Sequence, residues 1–298
     1  MNYLQRQILL AKTLRRDRRN GTRTPVSLVR IWKSAWPSLR RPIFVLGAPR
    51  SGTTFLGHAL GRVPGISYHN EPPATVAAAR FVYSGEWDWS RAERYYKSTY
   101  RWLLRARAEG GHRFCEKTPR NNFIVPFLAE AFPDAVFLHI LRDGRDAALS
   151  HMKKPWLAER MRNESGFDLW GDRHGPFPRF WVEPDRAQEF GSTDDYHRCI
   201  WTWRRHVEAG MQHGSALGPN RYLEIRYEDV VRESAAHADC ISEFLDFSAS
   251  QRASLITALS DARDQSVGGW RRELTGEQLA VARNEAGALL RRIGYTDS

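Results

Sequence analysis

Cysteine is scarce in this chain: Cys115, Cys199 and Cys240 stand alone, and no two share C-x-x-C spacing. An odd, sparse set excludes a disulfide framework and a cysteine metal clip, so reduced thiols and no metal site are expected. Long apolar runs are missing as well, none approaching the roughly 20 residues of a membrane span. The first residues have no continuous apolar core of the secretory kind, so a cytoplasmic protein is expected. Acidic residues are nearly absent from the start of the chain. Residues 1–41 hold eleven Lys or Arg against Asp17 alone, a net of +10 out of the chain's +11. The remaining body is therefore close to neutral, which argues against nucleic-acid binding by the fold.

What is present suits one large α/β domain. The 298 residues are 42% hydrophobic and 12% aromatic, enough for a substantial core. We divide the chain into a basic arm, 1–41, and a domain, 42–298. In the arm, Leu4, Ile8 and Leu14 lie among arginines in a loosely amphipathic pattern. That pattern fits either peripheral contact with an anionic membrane or a solvated tail, and the shortness of its apolar face favours the tail. Val26, Leu28, Val29, Ile31, Trp32, Ala35 and Trp36, ending at Pro37, are expected to pack on the domain.

Strands and helices alternate through the body, which indicates a parallel sheet with helices on its faces. Strands are expected at 43–46, after Pro64-Gly65, at the start of 113–119 before a charged loop, at 136–141 and at 222–227. Residues 74–108 are helical in pattern with a break at Gly85. Tyr196, Cys199, Ile200, Trp203 and Val207 have helical core spacing, and two helices fill 233–260. Asp146 is a candidate N-cap, and Thr275-x-x-Gln278 is a capping box opening a last helix that stops near Gly294. Residues 153–193 are irregular, rich in Pro, Gly and aromatics, and such long loops are commonly functional.

The body is organised around Ile43 to Leu56, a buried strand, a glycine turn and a helix. This layout aims backbone N–H groups at an anion. Gly47 and Gly52 have P-loop spacing, but Thr53 stands where a nucleotide-hydrolysing P-loop has Lys, and the charge sits inside the loop as Arg50. A phosphate can be held, but the lysine that reaches the β- and γ-phosphates of ATP is missing. A kinase or NTPase is therefore a remote alternative.

Pro49-Arg50-Ser51-Gly52-Thr53-Thr54-Phe55-Leu56 resembles the 5′-phosphosulfate loop of sulfotransferases that use 3′-phosphoadenosine 5′-phosphosulfate (PAPS). Further stretches are similar to that family. Leu141-Arg142-Asp143-Gly144-Arg145 through Ser150 resembles its 3′-phosphate segment, where a guanidinium fork and a hydroxyl hold the phosphate. Cys115-Glu116-Lys117-Thr118-Pro119 resembles the C-x-K-x-P stretch of tyrosylprotein sulfotransferases and their bacterial relatives, which implies that Lys117 stabilises the transition state. Glu71, 21 residues after Arg50, has the spacing of that branch's catalytic base, with His69 its rival by analogy with the cytosolic animal enzymes. Ser266 to Leu274, with Gly268, Gly269, Trp270 and Arg271, looks like the loop that closes over the nucleotide, although it lacks the R-K-G order of those enzymes. The Arg226-Tyr227-Glu228-Asp229 stretch also matches, which adds Tyr227 to the nucleotide-binding set.

The resemblance implies a P-loop-type sheet and sulfuryl transfer from PAPS to a hydroxyl, with adenosine 3′,5′-bisphosphate as product and no metal. Arg50, Lys117 and Glu71 would be the catalytic residues. Trp170, Phe177, Phe180 and Trp181, beside Arg173, His174 and Arg179, suit a lid over a carbohydrate or other small hydroxylated acceptor, or they are core. Peptide tyrosine is the alternative acceptor.

Overall fold

Ile43–Leu46 (β1) runs through the middle of a five-stranded sheet, with all four of its side chains buried. The computed structural model describes residues 8–13, 32, 34–162, 175–261 and 267–295. Its other strands are Ile66–Asn70 (β2), Arg113–Lys117 (β3), Val136–Leu141 (β4) and Tyr222–Arg226 (β5). The order is β2-β3-β1-β4-β5, and every neighbouring pair is parallel. Parallel pairing forces each connection to cross a face of the sheet, which covers both faces and explains the nearly unbroken apolar runs of β1 and β4.

Twelve helices among the described residues are named here. Thr53–Gly61 (α1), Pro73–Tyr83 (α2), Trp89–Ala106 (α3), Val125–Ala131 (α4) and Gly144–Met152 (α5) belong to the first four strands. Ala187–Ser192 (α6) and Asp195–Ser215 (α7) precede β5. Tyr227–Arg232 (α8), Ser234–Leu245 (α9), Ala249–Leu259 (α10), Trp270–Glu273 (α11) and Gly276–Arg292 (α12) follow it. The break between α2 and α3 falls at Gly85, where φ is 73°. The Thr275–Gln278 capping box is present in both directions.

Alternation along the strands sorts the core. Ile43 and Val45 face a cluster with Leu56 and Leu60 of α1, Ile241 and Leu245 of α9 and Leu255 of α10. Phe44 and Leu46 face the opposite side, with Tyr96, Tyr100 and Leu103 of α3 and Leu128 of α4. A third cluster joins Ala147 and Ala148 of α5 to Trp201 and Trp203 of α7 and Leu289 of α12. Strand order reverses at β1, with β3 on one side and β4 on the other, and in open parallel sheets the crevice at such a reversal opens at the carboxyl ends of the strands.

Two expectations are corrected. Asp143, not Asp146, caps α5, because its side chain accepts the Arg145 N–H while Asp146 already lies inside the first turn. The segment ending at Pro37 packs on the domain through Ser34, the Ala35 carbonyl and Pro37 and not through its aromatics: Trp32 and Trp36 are 71% and 78% exposed, whereas Ser34 is buried. Leu4, Leu14, Val26, Leu28, Val29, Ile31 and Ser266 lie outside the described residues, as do Trp170, Arg173 and His174.

Candidate active site

Where β1 ends, the chain turns through Gly47 to Ser51 into α1. The turn needs glycine at both ends. Gly52 has φ 88°, and a Cβ there would stand 2.5 Å from the Tyr227 ring. A Cβ on Gly47 would stand 2.6 Å from the Ile140 carbonyl. Two side chains pin the loop from outside: Asn122 Nδ2 donates to Gly47 O at 3.0 Å and Arg142 Nη1 donates to Arg50 O at 2.9 Å. The N-terminus of α1 carries no side-chain cap, and the fully buried Ser51 hydroxyl has no hydrogen-bond partner among the described residues. Uncapped amides beside an unsatisfied hydroxyl fit an anion.

Three groups distant in sequence meet at this loop. Arg50 Nε donates to Ser150 Oγ at 3.0 Å. Arg142, immediately after β4, is buried with its guanidinium 5.0 Å over the Tyr227 ring. Its carbonyl accepts Trp203 Nε1 at 3.1 Å. Burial, and then the charge of Arg142, lower the pKa of Arg50, with Glu71 acting the other way. Two guanidiniums brought together at an amide-lined turn suit a ligand with more than one negative charge.

Glu71 and Lys117 lie one strand apart. Glu71 follows β2, Lys117 closes β3, and the two strands pair up to Asn70 opposite Lys117. The Glu71 N–H donates to Lys117 O at 2.7 Å, and Lys117 Nζ donates to Glu71 Oε1 as an ion pair. Lys117 is almost wholly buried and Glu71 about a quarter exposed. Arg50 and Glu71 both hold left-handed backbone, φ 69° and 47°. For residues with a Cβ such conformations cost energy and concentrate at functional sites. His58 of α1 is close enough that Lys117, after burial, lowers its pKa.

His69 is placed elsewhere. It lies on the opposite face of β2 from Tyr68, is fully buried, stacks on Phe114 with ring centroids 4.9 Å apart, and bonds Ser67 Oγ through Nε2 at 2.9 Å.

The model of the sulfotransferase family matches residues 42–173 and 180–251. The chain belongs to the sulfotransferase family. Protein-tyrosine sulfotransferase A of Caenorhabditis elegans is 24% identical over 217 residues, which cover 68% of this chain and 49% of that protein. An uncharacterized protein of Aquifex aeolicus (strain VF5) is 28% identical over 239 residues, 75% of this chain and 27% of its own length. The chain thus spans half or less of the length of these curated relatives. Among solved structures, the sulfotransferase domain from the curacin biosynthetic pathway superposes with TM-score 0.52 at 16% identity, covering 84% of this chain and 98% of that one. A mouse sulfotransferase complexed with PAP gives 0.51 at 16% identity, covering 87% and 88%. At such identity these structures show a shared fold.

In this sulfotransferase-family chain the loop at 267–271 docks on α5. Asp146 accepts the N–H of Gly268 at 2.7 Å and of Trp270 at 2.9 Å. Burial raises the Asp146 pKa, and those two bonds and Arg142 oppose the rise. The buried Trp270 ring lies 3.7 Å from the Arg145 guanidinium and 4.5 Å from that of Arg271. Gly268 has φ 71°, while Gly269 is right-handed. Asp143 is held by Arg145 at 2.8 Å, so both carboxylates near Arg142 are engaged with other groups. Tyr227 is buried between Gly52, Phe55 and Arg142, where it backs the guanidinium. Of the remaining loop residues, Thr53 is buried, Pro49 half-buried and Thr54 exposed.

Of the two readings of the aromatic segment, lid or core, Trp181 takes the second. Trp181 is buried, ring-stacked on Phe123 and edge-on to His206, so it is core. Phe180 is half-buried and, with Trp181, carries the Arg120 guanidinium at 5.4 and 5.6 Å. Phe180 also meets the exposed Tyr83 at 5.3 Å.

Sequence reasoning missed Glu116. This fully buried carboxylate accepts Thr75 Oγ1 at 2.7 Å and Thr118 Oγ1 at 2.9 Å, together with Tyr100 and Asn121. It ties the loop after Lys117 to the start of α2. The signal available was alternation: Phe114 and Glu116 share a strand face, so a charged residue fell on a core position. Glu189, His197 and Glu285 could approach a common cation, but Arg186 and Arg204 already bond Glu285 there at 2.9 and 2.8 Å.

Proposed function

We propose that this chain transfers a sulfuryl group from PAPS to a hydroxyl acceptor. The observation that carries the proposal is the meeting of Arg50, Arg142 and Ser150 at an uncapped helix N-terminus, beside the Glu71–Lys117 pair. In this reading the amides of residues 49–54, with Arg50 and the Ser51 hydroxyl, hold the 5′-phosphosulfate. Arg142 and Ser150 hold the 3′-phosphate, and the loop at 268–271 covers the nucleotide. The mouse relative complexed with PAP supports the choice of donor.

The chemistry is an in-line displacement. The acceptor oxygen bonds to sulfur as the sulfur–oxygen bond to the 5′-phosphate breaks, and adenosine 3′,5′-bisphosphate departs. Negative charge grows on the bridging oxygen, where the Lys117 ammonium stabilises it. Glu71 accepts the acceptor's proton, its carboxylate held in place by Lys117 and by its left-handed backbone. His69 is a poor rival because burial and stacking remove it from the mouth of the site. Arginine and lysine supply the countercharge that a metal supplies in many phosphoryl-transfer sites.

For the acceptor we favour a carbohydrate or another small hydroxylated molecule, with Tyr83 and Phe180 offering ring faces. Peptide tyrosine is the second reading, supported by the worm and Drosophila melanogaster relatives named protein-tyrosine sulfotransferases. A panel of sugars, phenols and tyrosyl peptides incubated with sulfur-labelled PAPS decides between them. Label in tyrosyl peptides alone would remove the first reading, and label in no hydroxyl compound would remove both.

A further inference from the structure

The short segment before the domain is mounted with its apolar side outward. Ser34 faces in, its hydroxyl accepting the Gly110 N–H at 3.1 Å. The Ala35 carbonyl accepts Arg105 Nη2 at 3.1 Å, and the Ser38 N–H donates to Gly110 O at 3.1 Å. Pro37 is buried and Leu39 packs against the core. These anchors fix the segment, and they leave Trp32, Ala35 and Trp36 exposed on one side at helical spacing. Trp32 and Trp36, at 71% and 78%, are the most exposed large apolar side chains among the described residues. Single exposed aromatics are ordinary. Two indoles outside and a serine inside reverse the usual order and mark a contact surface.

We propose that this face docks on an anionic lipid surface. Tryptophan settles at the membrane–water boundary, where its apolar body and N–H are both accommodated. Charge supplies the second half of the argument. Residues 1–41 carry a net of +10, and the exposed Arg105 is bonded to the Ala35 carbonyl, next in the chain to Trp36. Basic side chains around interfacial aromatics bind anionic headgroups. The same charge disfavours a second copy, because pairing two such faces would bring two arms of like sign together. Orientation agrees: Gly110 lies just before β3, at the amino end of the sheet, whereas Glu71, Lys117 and the phosphate loop lie at the carboxyl ends. Docking therefore leaves the candidate site facing away from the lipid.

The test is co-sedimentation of the full chain with phosphatidylcholine vesicles, with and without phosphatidylserine, at low and high salt. Binding should require phosphatidylserine and fall at high salt. Trp32→Ser combined with Trp36→Ser should bind at least about tenfold more weakly, from the loss of indole burial. Both side chains are exposed, so unchanged thermal unfolding and unchanged bisphosphate binding are expected as controls. Equal binding to both vesicle types would overturn the proposal. So would a double variant that binds as well as the parent, since arginines alone would then account for binding. Loss of a concentration-dependent dimer in the double variant, without vesicle binding by the parent, would assign the face to a second copy instead.

Discussion

The Lys117 ammonium is paired with the Glu71 carboxylate across the carboxyl ends of two neighbouring strands, while the Glu71 N–H is bonded to the Lys117 carbonyl. Main chain and side chain thus fix one another. Glu71→Gln keeps the shape and removes the proposed proton acceptor, so kcat should fall by about 10²–10⁴-fold, with bisphosphate affinity nearly unchanged. Steady-state assays with labelled PAPS and the acceptor found in the panel measure this. A Gln variant of parental kcat would remove Glu71 from the mechanism.

His69→Asn should behave differently. The residue is fully buried against Phe114, so its loss should lower stability by about 1–3 kcal/mol, with kcat within about tenfold of the parent below the melting transition. A folded but inactive His69→Asn protein, with Glu71→Gln active, would move the base to His69.

In the proposed function donor specificity rests on Arg142. Its Nη1 sits on the Arg50 carbonyl, so in the proposed reading Arg142→Ala removes a phosphate ligand and loosens the loop. Bisphosphate binding should weaken by about 1.5–3 kcal/mol for each charge-assisted bond lost. Calorimetry on the parent should show adenosine 3′,5′-bisphosphate far tighter than ATP and indifferent to magnesium. Tighter, magnesium-dependent ATP binding would favour the kinase reading.

Asp146 joins the first turn of α5 to the loop at 268–271. Asp146→Ala leaves the Gly268 and Trp270 N–H groups without their acceptor, so these amides should exchange with solvent faster and bisphosphate affinity should drop. Unchanged exchange at both amides would mean that other contacts hold the loop.

Acid should unfold the protein through its histidines. Burial lowers His139, His151 and His206 to about 3. The Arg50 and Arg179 charges add to this at His151, while the Thr202 carbonyl opposes it at His206. These groups are neutral when folded and take up protons when unfolded. Their contribution is therefore present above about pH 6.5 and lost as pH falls toward 3. Glu116, Asp146 and Glu228, raised by burial, act in the opposite sense. Urea unfolding between pH 7 and 5 should show stability falling with acid, and His139→Gln should flatten that slope by about one proton. A slope unaffected by the substitution would refute the account for His139.

Much of this was legible in the chain because the signals are local. The apolar runs of β1 and β4, the glycines of the turn, and the capping box at Thr275 act within a few residues of themselves. Short-range sterics and hydrogen bonding decide such features wherever they occur. The family motifs were readable for the same reason, as each is a contiguous stretch.

What the chain alone left open depended on which face, and which distant partner, a side chain would meet. His69 and Glu71 are two residues apart, and a continued pleat would put both on one face; the strand instead ends at Asn70, and the left-handed turn at Glu71 takes it to Lys117 while His69 stays in the core beside Phe114. Asp146 had the composition of a cap, and only the approach of a loop 122 residues later made it an anchor. Trp181 and Trp36 are equally apolar, but one is enclosed by Phe123 and His206, while the other lies on the outer side of a segment anchored through Ser34. Side-chain chemistry was set by the sequence. Burial, pairing and facing are properties of contacts between segments far apart in the chain, and only the folded sheet brings those segments together.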